Sequence, residues 1–301
     1  MKNSSHEESY KPGENDARAE VSSSRRALGR FNAAAAVLLL VAGGMVTSTN
    51  SGMAVPDWPL SYGQWLPRMT GGVFFEHGHR MIAAFVGLLI LVMAFWTQFD
   101  ESRAAVRRLA WWTLFGVVLQ GALGGVTVLF NLPLAVSAAH ATLGQTVFCL
   151  LVIMAELLGE GARPPVAMDP VGSLPRLGAF AAAALWCQLV MGAIMRHGGS
   201  GIVWHLLGAV VASAAAGVFG AAALARREAA LSRPGGALLA LLGIQLTLGL
   251  ATADFRTEPF PRANPAMIVV ATAHLVIGAL LLGTAVLLTF RAWRLKTPEP
   301  V

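Results

Sequence analysis

The sequence predicts an all-α integral membrane protein with eight transmembrane helices, arranged as two pseudo-symmetric four-helix bundles. Three observations predict it. Of 301 residues, 55% are hydrophobic and only 13% charged, where soluble domains carry about 25% charged residues; the mean hydropathy is +0.62. Apolar stretches recur, each near the ~20 residues that a bilayer requires. Motifs of the first half reappear in the second. The net charge of +6 comes from arginines dispersed between apolar runs. Such dispersion excludes a nucleic-acid partner and leaves the lipid bilayer as the expected surroundings.

The first 24 residues, MKNSSHEESYKPGENDARAEVSSS, are polar and lack an apolar period. They read as a disordered cytoplasmic tail. The first apolar run, 31–47, follows SRRALGR without a small-residue cleavage site, so it reads as a retained span rather than a signal peptide. Spans at 73–98, 109–130 and 134–158 complete an N-terminal half, residues 25–160. Spans at 176–196, 201–224, 235–253 and 266–290 make a C-terminal half, residues 170–295. Fourteen flanking Lys and Arg residues fall on the side of the termini, against five on the other. Both termini are therefore expected on the cytoplasmic side, with the long 48–72 loop opposite.

The repeat is visible in short motifs. LQGALGG, CQLVMGA and IQLTLGL place Gln120, Gln188 and Gln245 each four residues before a glycine, and GGMVTSTNSG ending the first span matches GAIMRHGGSG ending the fifth. Such repeats place a site in each half or between them. Cys149 and Cys187 lie inside apolar runs with no CxxC spacing, and they read as buried, inert thiols.

The histidines carry the chemistry. His79, His140, His205 and His274 fall one on each even-numbered span. Each lies roughly 6–12 Å below the non-cytoplasmic end at 1.5 Å per residue. The residue four further on is Ala83, Gly144, Ala209 or Gly278, always small, which suits a flat macrocycle lying beside an axial ligand. Two histidines from facing helices can hold one haem iron. The economical pairing is His79 with His140 and His205 with His274. The competing reading makes these histidines hydrogen-bonded packing residues in a chain rich in Ala and Gly. Four in register across a repeat favour ligation. His77 points about 200° away from His79 on a helix, and His197 ends the fifth span; neither is expected to bind these irons.

Ionisable groups at membrane depth mark function. Glu76 precedes His79 by three residues, whereas Ser137, Ile202 and Ala271 stand before the other three. Its carboxylate can orient the histidine, move protons or stabilise positive charge on a substrate. It can also pair with Arg80 at i,i+4, and both roles can coexist. The expectation is a reaction site in the first half and an electron-transfer haem in the second. Arg80 and Arg196 are candidate partners for haem propionates; snorkelling to the interface is the alternative.

GGMVTSTNSGMAVPDWPLSYGQW followed by FFEHGHR resembles the first-half signature of the haem A synthase family, and MRHGGSG resembles that family's second-half Arg-His-Thr-Gly stretch. The resemblance spans nearly all of the chain after residue 25. It implies a membrane oxidoreductase that converts a methyl group of haem O to the formyl group of haem A for terminal oxidases. It further implies His205 and His274 as ligands of a haem b cofactor, His79 and His140 as ligands of the substrate haem, and Glu76 as essential to the chemistry. The implied partners are haem O, haem O synthase and an electron-transfer protein that the sequence does not identify. The chain departs from the family at two places. Val55 and Ser61 stand about where many bacterial relatives carry a cysteine pair, and the loop between spans five and six is cut to about GGSG. A non-catalytic dihaem b cytochrome and a haem carrier are the competing functions. The cytochrome has no need of Glu76, and a carrier needs exchangeable ligation.

Overall fold

The computed structural model describes residues 12–159, 172–254 and 264–296. They form eight helices: α1 (Pro12–Ser48), α2 (Gly72–Asp100), α3 (Ala104–Leu129), α4 (Leu134–Gly159), α5 (Leu174–Gly198), α6 (Ile202–Leu224), α7 (Ala229–Asp254) and α8 (Pro265–Lys296). All eight contain a stretch long and apolar enough to cross a membrane. Among the described residues the only β pairing is an isolated bridge between Ser61 and Gln64. The protein is an all-α integral membrane protein.

Each predicted span is a helix, and most boundaries move outward, the end of α3 and the start of α6 each moving inward by one residue. The largest change is at the start. α1 opens at Pro12, a residue whose fixed φ suits a first helical position, so residues 12–24 of the expected tail are helical. Polarity does not prevent a helix that continues directly into an apolar span. Residues 1–11 lie outside the described residues. Between α5 and α6, Gly199 (φ +68°) and Gly201 (φ +92°) adopt left-handed conformations that permit the short reversal.

The helices close into two rings. α1 packs on α2, α2 on α3, α3 on α4 and α4 on α1; α5, α6, α7 and α8 do the same. Contacts of α1 with α8, and of α4 with both α5 and α8, join the rings. Lipid is as apolar as leucine, so close packing rather than apolar burial holds such helices together. The core of the second ring accordingly uses Ala181, Ala212, Ala216, Ala223, Ala285 and Ala292 around Phe219 and Leu288. Cys149 is buried as expected, but Cys187 is exposed. α5 is apolar around its whole circumference, so an apolar run cannot tell an inward residue from a lipid-facing one.

Charged clamps close the end that carries the termini. The Arg291 guanidinium on α8 donates from Nε and Nη2 to the two oxygens of Glu156 on α4, at 2.6 and 2.7 Å. At the α2–α3 turn, Glu101 accepts from Arg103 Nε and Nη2, both at 2.9 Å, and lies 3.4 Å from Arg25 Nη1. The hydrogen bond from Arg103 holds the Glu101 carboxyl well below its ordinary range, at about 2.

Candidate functional site

The four histidines share one seating, each lying against a glycine of the preceding helix. A Cβ added to Gly43, Gly124 or Gly192 would meet the Cε1 of His79, His140 or His205 at 3.1 Å, and one on Gly249 would meet His274 Cε1 at 3.2 Å. Three of these glycines belong to the Gln-x-x-x-Gly motif, and the glutamine engages the same histidine. Gln120 Nε2 donates to the His140 main-chain carbonyl at 2.9 Å, and Gln188 Nε2 to that of His205 at 2.8 Å. Gln245 Nε2 lies 3.5 Å from His274 Nε2. His140 Nδ1 is also 3.1 Å from the Gln120 carbonyl oxygen, a contact of the kind that sets the tautomer and orientation of a ligand histidine.

This geometry changes the meaning of the small residues after the histidines. The glutamine side chains lie over them: Gln120 Nε2 would be 2.9 Å from a Cβ on Gly144, and Gln245 Nε2 3.0 Å from one on Gly278. In α6 the relief comes from Gly208, where an added Cβ would collide with Gln188 Oε1, rather than from Ala209. The room expected for a macrocycle is therefore room for an amide at Gly144 and Gly278, two of the four places. Sequence reading recorded the glutamines as a mark of the repeat and missed their contact with the histidines, although the constant four-residue offset to glycine was the available signal.

The residues fit paired haem ligation. His79 on α2 and His140 on α4 stand on diagonally opposed helices of the first ring, as do His205 on α6 and His274 on α8 in the second. In each pair one ring keeps a buried nitrogen without a protein partner, Nδ1 of His79 and Nδ1 of His274. Among the described residues no group of three or more His, Cys, Asp or Glu is placed to hold a metal. A haem iron takes four nitrogens from its own macrocycle and asks only two of the protein. The packed apolar core of the second ring also ends before the histidines: on α6 its outermost member is Ala212, and on α8 it is Leu281.

Among the described connections at this end, the 49–71 segment between α1 and α2 forms a long roof while α5 and α6 are joined by residues 199–201 alone, and Glu76 is built into the roof. Glu76 is buried, accepts from the Val55 amide at 2.8 Å through Oε2 and pairs through Oε1 with Arg80 Nη2 at 2.6 Å. Arg80 Nη1 donates to the carbonyls of Asp57 and Leu60 at 2.8 and 2.7 Å. The i,i+4 ion pair thus exists, and the same arginine fastens the Pro-Asp-Trp-Pro turn. His77 faces this roof and is hydrogen-bonded through Nδ1 to Ser61 Oγ at 2.8 Å. Val55 and Ser61 are both fully buried, so these two positions pack the roof without thiols. The Gly63 and Tyr62 amides hold the Asp57 carboxyl below its ordinary range, and the Arg80 charge adds to the effect. The Trp58 indole lies on Gly125, where an added Cβ would be 2.7 Å from Cδ2; the neighbouring Gly124 seats His140.

Arg196 sits apart from this network. Its Nη2 donates to Ser48 Oγ at 3.1 Å, and Ser48 in turn accepts from Thr272 on α8 at 3.1 Å. It therefore lies where α1, α5 and α8 meet, between the rings.

Fold and site together define a class: a polytopic membrane protein with paired histidines in each of two helical rings and one buried acid beside the first pair. Residues 69–206 match the model of the COX15-CtaA family, described as cytochrome oxidase assembly protein. The heme A synthase of Symbiobacterium thermophilum is 33% identical over 183 residues, covering 58% of this chain and 60% of that protein. The heme A synthase of Shouchella clausii is 29% identical over 175 residues, covering 56% and 58%. That of Exiguobacterium sp. is 32% identical over 130 residues, covering 42% and 43%. The chain thus spans six tenths or less of the length of these curated relatives. Over that part of its length the chain is similar to the COX15-CtaA family and to heme A synthases.

Proposed function

We propose that the protein is a haem A synthase, oxidising a methyl substituent of haem O to the formyl group of haem A. The substrate haem sits in the first ring between His79 and His140, and His205 and His274 hold a haem b in the second. The two rings are copies of one unit that diverged at the carboxylate and at the roof. Haem b, when bound, supplies a one-electron redox centre. The protein's own groups do the rest. His79 and His140 fix the plane and depth of the substrate. The roof, with Trp58 and Val55 packed into it, excludes bulk water. Glu76, oriented by Arg80 and the Val55 amide, offers a negative charge where positive charge develops as the methyl carbon is oxidised, and it accepts the protons released. Arg80 is largely committed to Glu76 and the roof, which leaves Arg196 as the better candidate for a propionate contact. The termini face the cytoplasm and the histidine end faces the other side, where haem O synthase and an electron acceptor would have to be met.

The observation that carries this reading is the buried Glu76, three residues before His79, with no acid at Ser137, Ile202 or Ala271. The test is pigment extraction after aerobic co-expression with a source of haem O. The expected outcome is haem A. If only haem O and haem b are recovered while the bound haem b remains redox-active, the protein is an electron-transfer cytochrome instead.

A further inference from the structure

Three of the four histidines are gripped from two directions. The ring rests on a glycine of the preceding helix, and the glutamine one turn before that glycine reaches the histidine. The amide oxygens of Gln120, Gln188 and Gln245 are all buried without a partner. The same unusual arrangement in three places marks a built feature, since buried polar atoms are rarely left open. At His79 only half of it survives. Gly43 seats the ring, but the residue four before Gly43 is Leu39, and Ala83 stands where a glycine would admit the amide. No glutamine reaches the His79 ring, whereas Gln245 Nε2 lies 3.5 Å from His274 Nε2; Nδ1 is open in both rings.

We propose that Gln120, Gln188 and Gln245 are positioning residues that lock their histidines toward iron, and that Leu39 and Ala83 leave His79 as the releasable ligand. The second ring, with two locked histidines, retains its haem. The first ring, with one locked histidine and one unlocked, exchanges its haem, as a substrate site must. A ligand held by fewer contacts has more conformations to reach once its iron bond breaks, so rebinding is slower and escape more frequent. This inference rests on the proposed division of labour between the rings.

The test measures haem loss. The full-length protein is purified, both sites are loaded with haem b, and transfer to apomyoglobin is followed by absorbance. Two phases are expected, the faster at least tenfold quicker and absent in His79→Ala. In the double variant Gln188→Met/Gln245→Met, which keeps side-chain length but removes the donor, the slow phase should accelerate at least tenfold. In Leu39→Gln/Ala83→Gly, which rebuilds the lock, the fast phase should slow at least tenfold, with a sharper low-spin bis-histidine signal. A single phase in the unmodified protein overturns the proposal, as does a fast phase unchanged in Leu39→Gln/Ala83→Gly. That variant adds a bond, so it remains decisive even where the methionine variant fails to fold. Haem b loss is read without turnover. Failure to make haem A alongside the predicted phases would therefore sink the assigned reaction and leave this inference standing.

Discussion

At the scale of single residues, the site depends on how each ring is held rather than on which residue type is present. Seven histidines occur, and four of them share the glycine seat. His77, only two residues from His79, is instead bonded to Ser61 in the roof. Replacing His205 or His274 by Ala is predicted to remove the haem of the second ring. Absorbance of the purified variants checks this, and normal low-spin haem in both would contradict the pairing. Trp58→Ala should act differently. The indole is 42% exposed, so its loss is predicted to cost about 1–2 kcal/mol, below the ~3–5 kcal/mol of a fully buried tryptophan. The change should appear as faster proteolysis within 49–71, with the second-ring haem spectrum intact.

At the scale of elements, each helix does two jobs, packing at the termini end and, at the other, presenting a histidine from the even-numbered helices or its glycine seat from the odd-numbered ones. The α2–α3 turn illustrates the packing end. The Glu101 carboxyl is held at about 2 against an ordinary 4.5 by Arg103. Its folded-state value is depressed, so its contribution is fully present above about pH 4.5 and is lost as pH falls towards 2. Thermal melting in detergent should show an acid limb across that window, and Glu101→Gln should flatten it while lowering the melting temperature at pH 7. The spans themselves were legible because a run of apolar residues has no other use at that length. The four histidines stood out as candidates because they recur in register. The environment of Arg80 was not legible, since its partners Asp57 and Leu60 lie 23 and 20 positions earlier in the irregular roof. Nor was the exposure of Cys187, because a helix in lipid shows no polar outer face to mark its orientation. The start of α1 at Pro12 was missed because local polarity was read as the absence of structure.

At the scale of the whole molecule, the two rings are pinned to each other at both ends. Glu156 and Arg291 join α4 to α8 near the termini, and Ser48 links Arg196 and Thr272 at the histidine end. Glu156→Gln leaves Arg291 without its counter-charge in a partly buried place. It is predicted to lower stability by about 1–3 kcal/mol, seen as a lower melting temperature with both haem sites still formed. The larger claim is a division of labour, in which one ring reacts and the other holds a redox haem, with Glu76 as the difference between them. Glu76→Gln tests it most directly, because the amide keeps the shape and an acceptor for Val55 while removing the charge. Haem A formation and bound haem are measured on the same preparation. The predicted result is a loss of product of at least about 100-fold with the bound-haem spectrum largely unchanged. Product and haem falling together, or product surviving, would contradict the division of labour.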